Sequence, residues 1–190
     1  MPRVVNNNLL AGVSGKLGNN IVIRQSARGI VMANKPKKSS KKVTESQLVV
    51  RDRFQEASFY AREQVSRPES LAIYKTGVTP KLNSAYMVAV SDYLKKPRIT
   101  AFNASAYSGA VGDLIKVRAS DDFRVVSVTL VISAASGEVL ERGEAVFTSL
   151  GGLMDWIYTT KVANPSVAGT TIEVIVTDLP GNETLKTYTL

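Results

Sequence analysis

The chain of 190 residues contains no histidine and no cysteine, so it lacks the side chains that most often do chemistry near neutral pH. Without histidine there is no Ser-His-Asp triad, no His-ligated zinc and no ordinary neutral-pH base. Without cysteine there is no disulfide, thiolate metal site or thiol nucleophile. Gly15 and Lys16 do not make a phosphate loop. That motif needs a glycine five residues before the Gly-Lys pair and a Ser or Thr after it; this chain has Leu10 and Leu17 there. Asp121, Asp122, Asp178 and Asn182 offer oxygen atoms of the kind calcium takes, provided the fold gathers them at one end of a β structure. The same residue types are at home in β turns, and no EF-hand spacing is present, so the expected metal and cofactor content is none. Glu138, Glu141 and Glu144 follow a turn signal and read as a solvated acidic face. The expectation is a protein that is not an enzyme.

Charge points to a different kind of site. The net charge is +8. Residues 1–53 carry eleven Lys or Arg against Glu45 and Asp52, a net of +9, whereas residues 54–97 carry +2 and residues 98–190 carry −3. Such asymmetry suggests a polyanion-seeking end. The candidate contact residues are Arg24, Arg28, Lys35, Lys37, Lys38, Lys41 and Lys42. Lys and Arg displace counterions from nucleic acid without reading its sequence. They serve as well to dock on an acidic neighbouring subunit, and a solvated linker has the same composition. The expected partner is a second copy or a larger protein assembly, with nucleic acid as the alternative.

The elements that must position these residues fall into three stretches. Residues 1–42 form a basic Gly/Lys-rich arm. Gly12, Gly15 and Gly18 favour a turning backbone, and β-branched runs at 21–25 and 29–33 flank a short loop, which predicts a hairpin. Residues 43–97 are helical. Thr44 and Gln47 have capping-box spacing, and Val50, Phe54, Ala57, Ala61 and Val65 recur on one helical face as a buried stripe. The first helix ends before Pro68, and a short second one is expected over 68–75. Thr79 and Pro80 predict a third helix with Leu82, Tyr86, Ala89 and Tyr93 inward. Residues 98–190 read as strands near 99–104, 114–119, 125–133, 139–147, 156–161, 171–178 and 184–189, with Trp156 in the core.

The last stretch resembles bacterial immunoglobulin-like modules. The matching features are residues 125–132 (VVSVTLVI), the turn at Ser136 and Gly137, Gly143 to Ala145, Trp156 with Tyr158, and residues 178–182 (DLPGN). The resemblance implies an α+β chain whose C-terminal part is an all-β immunoglobulin-like sandwich, a scaffold without a specific activity. The N-terminal stretch resembles an uncharacterised family from Bacteroidota bacteria and their phages, through residues 12–20 (GVSGKLGNN), 35–40 (KPKKSS), 44–48 (TESQL) and 51–54 (RDRF). That family has no established activity to carry over; its compact size and absence of catalytic groups are compatible with a phage virion or assembly component, which is the expectation. No run of about 18 apolar residues is present, and the first residues lack an apolar signal region. The expected location is the cytoplasm or a virion, with no membrane contact.

Overall fold

The computed structural model describes residues 3–4, 12–26, 29–36, 42–150 and 153–190. Among them are three helices and three antiparallel four-stranded sheets, a mixed α+β chain. It divides into two compact units, Met1–Glu45 and Ser46–Leu190.

The first unit is a sheet of β1 (Arg3–Val4), β2 (Gly15–Leu17), β3 (Ile21–Ser26) and β4 (Gly29–Asn34), in the order β1-β4-β3-β2. The hairpin is where the β-branched runs predict it, with register from Ile21↔Asn34 to Ser26↔Gly29. Gly18 adopts a φ of +63° in the turn between β2 and β3, a conformation that costs glycine little. Among the described side chains of this unit only Ile23 is buried.

In the second unit α1 (Glu45–Ser66), α2 (Pro68–Lys75) and α3 (Ala85–Leu94) pack around Ala61, Tyr74, Ala85, Val88 and Ala89. Two sequence expectations are corrected here. The α1 stripe is buried only in its second half: Ala57 and Ala61 are fully covered, but Val50 and Phe54 are 68% and 53% exposed. Helical periodicity aligns these residues on one face without fixing where the core stops. The third helix starts at Ala85, not at Pro80. Thr79 Oγ1 accepts from the Leu82 amide and closes a single turn, while Ser84 is the N-cap and accepts from Met87.

The β region forms two sheets, ordered β5-β6-β10-β9 and β12-β11-β7-β8. The strands are β5 (Arg98–Asn103), β6 (Leu114–Ser120), β7 (Val125–Ser133), β8 (Val139–Glu144), β9 (Val146–Leu150), β10 (Leu153–Thr159), β11 (Thr171–Asp178) and β12 (Glu183–Thr189). The run expected as one strand over 139–147 is two. The chain leaves one sheet for the other at Ala145, which is buried and bonds its amide to the Val128 carbonyl at 2.8 Å. Both sheets feed one core. Val128, Leu130 and Ile132 of β7 and Ile172, Val174 and Val176 of β11 meet Ile115 and Val117 of β6 and Trp156 and Tyr158 of β10. The period of two in a strand puts alternate residues on this face, and each fully buried aliphatic side chain contributes roughly 1.5–3 kcal/mol.

Candidate functional site

Two alternating patterns run into charge. On α3 the buried series Ala85, Val88 and Ala89 continues to Asp92, and on β11 the series Ile172, Val174 and Val176 continues to Asp178. Both carboxylates are buried, at 1% and 2% exposure. The loop between β6 and β7 adds Asp121. One carboxylate oxygen from each of the three lies within 4.8 Å of the others.

Each acid is held by a different element. Tyr74 on α2 donates to Asp92 Oδ2 at 2.8 Å. The amides of Phe123 and Arg124 donate to Asp121 Oδ2, both at 3.1 Å. Asp178 accepts from the Asn182 amide at 2.6 Å and from Asn182 Nδ2 at 2.8 Å. That same Nδ2 faces the carbonyls of Asp92, Tyr93 and Lys95 at 3.2–3.4 Å. Asn182 therefore ties the β11–β12 turn to the last turn of α3, whose carbonyls lack intrahelical donors. Phe123 stacks on Tyr74 with centroids 5.0 Å apart. Asp92 Oδ1 and Asp121 Oδ1 are buried and meet no donor among the described residues.

Burial raises the Asp92 carboxyl to about 7 against the opposing Tyr74 hydrogen bond, with Asp121 and Asp178 pushing the same way as burial. Burial likewise raises Asp178, opposed by its bonds from Asn182. Burial also holds the Tyr74 and Tyr60 phenols above the usual range. A desolvated carboxylate without a cation favours its neutral form.

Asp121 also lines an open cleft of about 720 Å³, with Arg118, Phe123, Arg124, Phe147 and Trp156 among its walls. Arg118 forks onto Asp155 at 2.8 and 3.3 Å, and that hydrogen bond holds the Asp155 carboxyl below the usual range.

The structure brings together Asp121, Asp178 and Asn182 of the oxygen set read from the sequence, but not Asp122. Asp122 pairs with Lys95 and lies 3.8 Å from Arg98. Asp92 was missed. Its signal was a charged residue at the next inward position of an apolar helical face. Glu141 corrects the expected acidic face. It is buried and accepts from the Tyr158 hydroxyl and the Lys161 amide, both at 2.9 Å, while Glu138 and Glu144 are exposed.

Of the basic candidates, Arg24 is exposed on β3, Lys35 follows β4 and bonds its amide to the Asn20 carbonyl at 2.7 Å, and Lys42 is exposed ahead of α1. Arg28, Lys37, Lys38 and Lys41 lie outside the described residues. Lys16 was overlooked as a contact residue. It pairs with Val22, two residues before Arg24, so strand alternation puts Lys16 and Arg24 on one face of the sheet.

No family model, curated protein or solved structure matches this chain. No helix among the described residues is long and apolar enough to cross a membrane.

Proposed function

We propose that this is a non-enzymatic assembly protein that self-associates through its N-terminal portion and α1, with the β region as its body. The observation that carries the reading is the exposed first half of α1. Leu48, Val49, Val50 and Phe54 stand 46–68% exposed on a helix whose second half is packed. Apolar surface of this kind marks interaction sites. A sheet with one buried described side chain also gains from a partner, since a sheet needs a covered hydrophobic face to be stable by itself. The occupant fitting both is a second copy: residues 1–53 carry +9 and residues 98–190 carry −3, so basic ends and acidic bodies attract.

The strand orders support reading the body as immunoglobulin-like. In sequence order, β5-β6-β10-β9 corresponds to strands A-B-E-D and β12-β11-β7-β8 to G-F-C-C′ of that fold. Trp156 sits on the strand equivalent to E, unlike the core tryptophan of antibody domains on C. A virion or phage-derived assembly is the setting that the N-terminal resemblance suggests. Sedimentation of the full chain and of a chain lacking residues 1–42 tests the proposal. Assembly by the full chain and a smaller mass for the truncated one are expected. Monomers in both cases overturn it.

A second reading rests on Lys16 and Arg24 sharing an exposed sheet face. This face and the lysines of residues 35–42 suit sequence-nonspecific contact with phosphates. Affinity for duplex DNA should then fall steeply with salt; absent or salt-insensitive binding ends that reading.

A further inference from the structure

We propose that Asp92, Asp121 and Asp178 hold a hard divalent cation of the calcium class. Three carboxylate oxygens within 4.8 Å of one another fit around one ion, because calcium takes its oxygen ligands at about 2.3–2.6 Å and opposite ligands then stand roughly 5 Å apart. A second observation points to a ligand. Asp92 is 1% exposed, and among the described residues its Oδ1 meets no donor; neither does the buried Oδ1 of Asp121. Unpartnered buried carboxylate oxygens are costly.

The hydrogen bonds that the three acids do make fall on their other oxygens or come from the protein backbone and Asn182. Asp121 accepts two backbone amides, and Asp178 accepts an amide and the Asn182 side chain. Among the described residues no Lys or Arg forms an ion pair with these three carboxylates: Lys95 and Arg98 pair with Asp122, and Arg118 with Asp155. A cation supplies the partner that both oxygens lack. Asp121 borders the 720 Å³ cleft, which gives the ion a way in. By bridging α3, the β6–β7 loop and the end of β11, the ion locks the helices onto the β body. This inference stands independently of the assembly reading.

The test uses the full chain stripped by chelator and then melted in EDTA, CaCl2 or MgCl2 at matched ionic strength. Calcium a hundredfold above its Kd is expected to raise Tm by about 5–10 °C, with one ion per chain by calorimetry. Terbium should luminesce on tyrosine excitation, since the Tyr74 hydroxyl lies 2.8 Å from Asp92. Asp121→Asn keeps the side-chain shape and should abolish both responses; Asp122→Asn should keep them. A wild-type protein that neither melts higher in calcium nor sensitises terbium overturns the proposal. So does an Asp121→Asn protein that responds undiminished, which puts the ion elsewhere.

Discussion

The Tyr74 hydroxyl, fully buried, donates to Asp92 Oδ2 at 2.8 Å and stands 2.7 Å from the Tyr60 hydroxyl. Because Tyr74 gives its proton to the carboxylate, Tyr60 must be the donor to Tyr74, and a three-member chain runs inward from α1 through α2 to α3. Tyr74→Phe strips a buried acid of its partner and should cost about 2–3 kcal/mol in urea unfolding. Tyr60→Phe removes only the outer, half-buried link and should cost about 1 kcal/mol. Equal costs would contradict the direction of the chain.

Gly143 is needed for its lack of a side chain. A Cβ there would lie 2.7 Å from Tyr158 Cε2 and 2.8 Å from its hydroxyl. Tyr158 has little room to yield, because its ring is 1% exposed and its hydroxyl is bonded to buried Glu141. Gly143→Ala should therefore destabilise by about 1–3 kcal/mol through overpacking, seen as a lower urea midpoint at unchanged slope.

The β core was legible because strand alternation is local: Val128, Leu130 and Ile132 announce their face within one strand. The hairpin of β3 and β4 was legible for the same reason. The switch of sheets at Ala145 was not, since residues 139–147 read as one β-rich run and only the packing of Gly143 against Tyr158 and the bond of the buried Ala145 to Val128 of β7 divide it. Asp92, Asp121 and Asp178 lie far apart in sequence and meet only through tertiary structure, so composition suggested the oxygen set but chose Asp122 over Asp92. Periodicity likewise placed Val50 and Phe54 in line with Ala57 and Ala61, but the end of the core is set by how far α2 and α3 reach.

Tyr158 gives a pH dependence with a definite sign. Burial, and then the hydrogen bond to Glu141, push its phenol from 10.0 up to about 12. The fold favours the neutral phenol, so this contribution is complete below pH 10 and is lost as pH rises from 10 through 12. It is worth about 2 kcal/mol. Urea unfolding at pH 9 and pH 12 should show wild-type stability falling more than that of Tyr158→Phe by about this amount. Parallel losses in the two proteins would show that the phenol ionises as freely in the fold as in the unfolded chain.

The exposed half of α1 separates folding from assembly. Val50 and Phe54 contribute little to the core of their own unit, because more than half of each side chain faces solvent. Surface substitutions away from special contacts usually change stability by no more than about 0.5 kcal/mol. A Val50→Glu, Phe54→Glu protein should thus unfold at nearly the wild-type urea midpoint. Its new charges would have to be desolvated in any contact that covers this face, and a buried unpaired carboxylate is costly. Sedimentation velocity should therefore show the variant shifted to lower mass while the wild type assembles. Ala61→Glu serves as the contrast, since Ala61 is fully covered and a charge there should unfold the helical layer itself. A Val50→Glu, Phe54→Glu protein that is folded and still fully assembled would show that α1 is not the interface and would move the search to the basic sheet carrying Lys16 and Arg24.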